Sequence, residues 1–370
     1  MRCRGEFAYI LGLLALASAL FSGAPTRVRA QSKPQARPQQ RSSNPTPSPK
    51  ESEAKAQEGE VVRVETDLVN VFFTAADKNR RFITTLGQQD IRVTEDGAPQ
   101  EIFTFQRETD RPLSIAILID VSASEQLTLP AEKAAARAFV NTIVRPKKDE
   151  AAVISFTGEA TVEQGLTDNP KSLQDAIERV QIVFPSGYIG GGVVVGGMPT
   201  RNDSDPRAGS TAIWDAIWVT AEELLSETHD KTRRTIILLT DGADTSSRFK
   251  RSEAVERAMK ADAVIYSIGI GDTKNFGVEK DTLRKLSERT GGLAFFPKNE
   301  TDLRAAFAQI EQELRSQYLV AYAPTNKNRD GTYRKVEIEL VNPELRKQKL
   351  LLNYRQGYFA QSRTTTRTVQ

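Results

Sequence analysis

From residue 61 to Phe105 apolar residues alternate with polar ones: Val62 and Val64; Leu68, Val69, Val71 and Phe73; Ile91 and Val93; Ile102, Phe103 and Phe105. Turn residues at Asp77-Lys78-Asn79 and Glu95-Asp96-Gly97 separate the runs, so the period of two predicts antiparallel strands of a small β-domain. At Leu113 the pattern changes. Leu113–Asp120 is a continuous apolar run, the signature of a strand covered on both faces. Strands and helices then alternate to about residue 315. Helix 131–144 precedes strands 151–157 and Ala160–Thr167, which are close enough to form an edge hairpin. Helix 170–182 and helix 211–225 lead to strand 235–240, and helix 252–261 leads to strand 263–270. Helix 278–290 stops at Gly291-Gly292, strand 293–296 follows, and helix 301–317 ends the series. Such alternation predicts an α/β fold with a doubly wound, mostly parallel sheet. Three further strands are expected at 318–323, Tyr333–Leu340 and 349–354, with a turn at Arg329-Asp330-Gly331.

The ends of the chain read differently. Arg2 and Arg4, the apolar block of 15 residues from Phe7 to Phe21, and small residues at Ser22-Gly23-Ala24 or Val28-Arg29-Ala30 make residues 1–30 a signal peptide. The block is short for a bilayer span, so cleavage is favoured over a retained anchor, with no membrane span afterwards. Export to a secreted, periplasmic or cell-surface location follows. Residues 31–60, rich in Gln, Ser, Lys and proline, are expected to be a disordered linker, and the polar tail 361–370 likewise.

Charge alters little. The chain of 370 residues carries 51 basic and 48 acidic residues, but four arginines (Arg2, Arg4, Arg27, Arg29) against one glutamate (Glu6) lie in the leader. The remainder is formally neutral, which gives no basis for binding nucleic acid or an anionic membrane. The single cysteine, Cys3, falls in the leader, so the exported chain has neither disulfides nor thiolate chemistry. The single histidine, His229, sits in a polar turn, which removes histidine-rich zinc sites. No nucleophile elbow is present for a hydrolytic triad.

The apolar run ending at Asp120 continues as Val121-Ser122-Ala123-Ser124. In an extended loop, positions i, i+2 and i+4 face one side, so Asp120, Ser122 and Ser124 offer one carboxylate and two hydroxyls to a common point. Ligands of open α/β sheets bind beyond the carboxyl ends of the strands. An all-oxygen set suits a hard cation: Mg²⁺ first, with Mn²⁺ and Ca²⁺ as alternatives. As turn and capping residues, the same serines would need no metal.

Asp-x-Ser-x-Ser closely resembles the metal-ion-dependent adhesion site (MIDAS) of von Willebrand factor A (vWA) domains, which integrin I domains also carry. Two further pieces resemble that family: Gly209-Ser210-Thr211 at the head of a helix, and the strand ending in Thr240-Asp241-Gly242. The resemblance implies that Thr211 and Asp241 complete the metal site, directly or through water. It also implies a vWA fold for residues 112–316. The segments from Leu68 to Asp77, Gln89 to Gly97 and Pro99 to Ile102, with Arg355-Gln356-Gly357-Tyr358, resemble the flanks of a bacterial family of secreted vWA-related proteins. Residues 61–111 and 317–360 are each too few for a stable sheet pair. They are therefore expected to form one β-sandwich into which the vWA domain is inserted, resembling the integrin β-subunit arrangement. Val69, Val71, Phe73, Ile91 and Val93 should share its core with Val336, Ile338, Leu340, Leu350 and Leu352. A rival layout has the C-terminal strands extending the main sheet.

The functional expectation is a non-enzymatic binding or adhesion module whose cation captures a carboxylate of a protein partner. The alternatives are a metal-assisted hydrolase, with Asp244 the nearest base beyond the ligands, and an assembly component with a structural metal. The insert at 184–208, holding Gly190-Gly191-Gly192, lacks the lysine of a phosphate loop and leads into Thr211, so it reads as a rim loop.

Overall fold

The computed structural model describes residues 68–184, 210–229, 231–271 and 277–360, with the backbone of Tyr188–Ile189 and Val193–Val194. The leader, the linker, Val62 and Val64, most of the glycine-rich insert and the tail lie outside the described residues. Among the described residues no helix is long and apolar enough to cross a membrane.

In chain order the strands are β1 (Val69–Ala76), β2 (Ile91–Glu95), β3 (Ala98–Gln100), β4 (Ile102–Glu108), β5 (Leu113–Asp120), β6 (Glu150–Phe156), β7 (Ala160–Thr167), β8 (Tyr188–Ile189), β9 (Val193–Val194), β10 (Arg233–Thr240), β11 (Ala263–Gly269), β12 (Ala294–Phe295), β13 (Gln317–Tyr322), β14 (Tyr333–Leu340), β15 (Leu351–Tyr354) and β16 (Gly357–Phe359). The helices are α1 (Leu129–Ile143), α2 (Pro170–Arg179), α3 (Ile213–Val219), α4 (Arg251–Lys260), α5 (Lys280–Thr290), α6 (Glu300–Leu314) and the short α7 (Pro343–Lys347). The stretch expected as one helix over 211–225 begins as α3 and finishes in a wider π-type coil over Thr220–Leu225.

The main sheet has the order β12-β11-β10-β5-β6-β7, parallel except for the edge hairpin β6–β7. All eight residues of β5 are buried, because both faces are covered. Leu113, Ile115, Ile117 and Ile119 pack against α1, α2 and α6, while Ala116 and Leu118 pack against α3, α4 and α5. That alternation is the strand pleat dividing one apolar run between two cores.

The flanking strands interleave. One antiparallel sheet has the order β15-β1-β13-β4 and a second has the order β16-β14-β2-β3. Each mixes strands from before and after the α/β region, and none of them extends the main sheet. The two sheets share a core of Val69, Val71, Phe73, Ile91, Val93, Tyr318, Val320, Tyr322, Val336 and Ile338. Leu340 and Leu352 lie at its margin, but Leu350 does not join it, because β15 starts one residue later. At the β2–β3 turn, Asp96 (φ 49°) and Gly97 (φ 83°) both take the left-handed conformation that a two-residue hairpin turn demands.

Chain entry to and exit from the α/β region are fastened at one carboxylate. Asp149 Oδ1 accepts from the backbone N–H of Leu113, the first residue of β5 (3.0 Å). Asp149 Oδ2 accepts from Arg145 Nε (2.6 Å) and from Arg315 Nη2, just beyond α6 (2.8 Å). Burial alone would raise the Asp149 carboxyl, but the Arg145 and Arg315 bonds outweigh it and hold the group at about 2, below the usual 3.8. A depressed carboxylate contributes stability that is complete above its unfolded value and vanishes as pH falls through its folded value. The contribution of about 2 kcal/mol should therefore be constant above about pH 4 and disappear toward pH 2. Urea unfolding of Asp149→Asn across that range is expected to differ from the parent at pH 5 and converge with it near pH 2. A constant gap down to pH 2 would contradict the assignment.

Candidate metal centre

β5 and β10 are adjacent and parallel, with Ile119 level with Leu239, so Asp120 and Thr240 end the two strands side by side. After Asp120 the backbone turns: Val121 N–H donates to the Phe156 carbonyl (3.0 Å), and Ala123–Glu125 form one 3₁₀ turn. Asp120 Oδ1 accepts from the Ser122 N–H (2.9 Å) and Oδ2 from the Thr240 hydroxyl (2.6 Å). The Ser122 and Ser124 hydroxyl oxygens are 3.0 Å apart. Asp241 Oδ1 accepts from the Ala243 N–H (2.9 Å), and Ser124 also hydrogen-bonds to Asp241. Gly242 follows at φ 90°, where a side chain would be strained and its Cβ would stand 3.0 Å from that of Glu279.

The structure thus brings Asp120, Ser122, Ser124 and Asp241 together. Thr211 lies on the same edge. Its carbonyl accepts from Thr245 (2.8 Å) and Ser246 (3.0 Å) in the loop after β10. The next N–H, of Ala212, donates to the Thr157 carbonyl beyond β6 (2.7 Å). Among the described residues the Thr211 hydroxyl makes no hydrogen bond to the other four.

Two sequence expectations need correction. A strand-end position suggests that Asp120 lies outside the packed core, yet it is 0% exposed, because β6 and β10 enclose the end of the central strand. The sequence points to Asp244 as the nearest base beyond the candidate ligands, but it is Glu125 that joins Asp120 and Asp241. Oxygens of Asp120, Glu125 and Asp241 all lie within 4.8 Å of one another. Glu125 and, seven residues on, Glu132 are both fully buried. The Thr128 hydroxyl donates to Glu125 Oε2 (2.6 Å), whereas Glu125 Oε1 has no donor in hydrogen-bond geometry. The signal was present as Glu125 next to Ser124 and as Glu132 among the inward residues Leu129, Ala136 and Phe139 of α1. A glutamate on a helix ordinarily reads as solvated.

Electrostatics follow from that crowding. Burial raises the Asp120 carboxyl to about 6; the Thr240 and Ser122 hydrogen bonds oppose the rise and the Asp241 charge adds to it. Burial raises Asp241 as well, against the bonds from Ala243 and Ser124, with the Glu279 charge adding. Glu125 and Glu132 are pushed up by burial first; the Glu132 charge adds at Glu125, the Thr128 and Glu125 side chains oppose the rise at Glu132, and the Asp120 charge adds at both. Three buried carboxylates, Asp120, Glu125 and Asp241, with neighbouring hydroxyls and the unpartnered Glu125 Oε1, form a donor set that fits a hard divalent cation.

Asp244 is engaged elsewhere. Its Oδ1 accepts from the first helical N–H of α3, on Ile213 (2.8 Å), and from the Ser247 hydroxyl, so it caps that helix. His229 is exposed in its turn.

Two family models, both described as von Willebrand factor type A domain, match residues 115–243 and 202–309. No curated protein sequence matches the chain. Among solved structures, proximal thread matrix protein 1 from the mussel byssus is 19% identical, with a TM-score of 0.45. That match covers 60% of this chain and 51% of the mussel protein, so the chain spans about half of that protein's length. Another structure of the mussel protein is described as having a zinc-occupied MIDAS motif. A von Willebrand factor type A protein from Catenulispora acidiphila is 13% identical, covering 81% of this chain and 75% of that one at a TM-score of 0.43. BatB from Bacteroides thetaiotaomicron is 16% identical, covering 55% and 100% at 0.40. The paired parallel strands, the oxygen cluster at their carboxyl ends and the two family matches over 115–309 make this chain a von Willebrand factor type A domain protein.

Proposed function

We propose that the chain is an exported, non-enzymatic binding protein that captures an acidic side chain of a protein partner at the Asp120–Asp241 edge. The observation that carries this reading is the buried oxygen cluster at the ends of β5 and β10. Asp120, Ser122, Ser124 and Asp241, with Thr211 beside them, would hold the ion, Mg²⁺ by preference. The ion, when bound, supplies a hard positive centre to which a carboxylate can bind. The chain's own residues keep that centre under-neutralised by mixing two carboxylates with three hydroxyls. They also supply little for hydrolysis: Asp244 is spent on capping α3.

Calorimetric titration with Mg²⁺ and Mn²⁺ tests the assignment. Because Asp120 is buried and hydrogen-bonded, Asp120→Asn is the informative variant: it keeps the shape and removes one charge. Its affinity is expected to fall by about 100-fold or more, since charge count dominates affinity at such sites. Unchanged binding would remove Asp120 from the site.

A further inference from the structure

We propose that Glu125 is a sixth protein ligand of the cation, an internal carboxylate that a partner's carboxylate has to displace. This rests on the metal-site reading above and extends it from the motif residues to one the motif does not contain. Glu125 directly follows Ser124 and closes the 3₁₀ turn Ala123–Glu125, its N–H donating to the Ser122 carbonyl (3.0 Å). That turn folds its side chain back toward the ends of β5 and β10, where one of its oxygens lies within 4.8 Å of Asp120 and Asp241 oxygens. Thr128 holds Oε2 (2.6 Å) and leaves Oε1 with no hydrogen-bond partner.

A fully buried carboxylate oxygen with no partner is costly, and a structural role for Glu125 would be expected to satisfy it. Its nearest charged neighbours carry the same sign. Asp120 and Asp241 flank it, and Glu132 lies near enough for its charge to act on Glu125. Among the described residues none of these carboxylates joins an ion pair. A divalent cation accounts for the arrangement, because it would use Oε1 and offset the repulsion. With Glu125 included, three carboxylates and three hydroxyls provide the six oxygens of an octahedral ion.

Mn²⁺ serves as the probe, because water-proton relaxation counts the waters on the bound ion. Glu125→Gln is nearly isosteric and should lower Mn²⁺ affinity by roughly 10- to 100-fold. Glu125→Ala should add one exchangeable water to the bound ion, and acetate should then displace that water at about tenfold lower concentration than in the parent. Glu132→Gln should leave the water count unchanged. In EDTA Glu125→Gln should melt close to the parent temperature, since it keeps the shape of the buried side chain and an oxygen for Thr128 to bond. Parent-like affinity in Glu125→Gln, an unchanged water count in Glu125→Ala, or equal acetate midpoints would overturn the proposal. Loss of affinity without a new water would mean that Glu125 acts through its charge alone, which also overturns it. Parent-like Mn²⁺ binding by Asp120→Asn, or none by the parent, would instead sink the metal site itself.

Discussion

A chain ending at Ser316 is expected to lose the fold of residues 68–108 while its α/β region stays folded. The cut removes β13, β14, β15 and β16 together. Among the described residues β1 has ladders only with β13 and β15, apart from a single bridge from Ala76 to Phe82, and β4 only with β13, so both lose every ladder partner. β2 keeps β3 but loses β14. The core shared by the flanks loses Tyr318, Val320, Tyr322, Val336 and Ile338 at once. By contrast, the cores on either side of the main sheet are made chiefly from residues between Leu113 and Leu314, and only Tyr333 and Phe359 are lost from their edge. Limited proteolysis read by mass spectrometry should place the first cuts within 68–108, at rates roughly 100-fold or more above those of the full chain. Persistent protection of 68–108 in the shortened chain would show that the shared sandwich does not hold that segment.

Arg334→Met should be strongly destabilising to the sandwich. Arg334 and Glu95 are each 2% exposed and meet at 3.3 Å between β14 and β2. Arg334 also donates to the carbonyls of Asn326 (2.6 Å) and Asn328, while Tyr322 and Tyr358 hydroxyls donate to Glu95 Oε2, each at 2.9 Å. Removing the guanidinium leaves a buried carboxylate and two orphaned carbonyls. Breaking a buried pair costs about 3–5 kcal/mol. The two tyrosines still solvate Glu95, so a loss of about 3 kcal/mol in urea unfolding is expected, with Glu95→Gln added to Arg334→Met restoring part of it. A loss below about 1 kcal/mol would mean that the pair behaves like a surface one. Both tryptophans, Trp214 and Trp218, lie on α3, so far-UV dichroism is the appropriate signal for the sandwich.

Where the chain signals burial by an unbroken apolar run, the sequence was sufficient. Leu113–Asp120 could only be a central strand, and its ending in Asp120-x-Ser122-x-Ser124 placed a carboxylate and two hydroxyls at the carboxyl edge. The interleaving of the flanks was legible too, because β1 and β14 each carry an apolar face that neither flank could cover alone. Glu125 and Glu132 stood at telling positions in the sequence, but their burial was not legible. Their burial depends on how the 3₁₀ turn and α1 return over the strand ends, which no local pattern encodes. β16 and α7 were missed because three and five residues are too short to establish a period. The π-type coil after α3 reflects tertiary packing rather than any residue that would mark it.

Asp149 has a mechanical consequence. The α/β region leaves the sandwich after β4 and returns at β13, and Glu108 is paired with Gln317 at that crossing. With Leu113 and Arg315 both fastened to one carboxylate, the inserted domain hangs from the sandwich as a side loop. A pull applied between Val69 and Phe359 would therefore run through the ladders of β1, β13 and β14, and would bypass the strands that end at Asp120 and Asp241. Only a partner holding the Asp120–Asp241 edge could load those strands, and the crossing at Glu108 and Gln317, with the Asp149 clamp beside it, would be the first joint to feel that load.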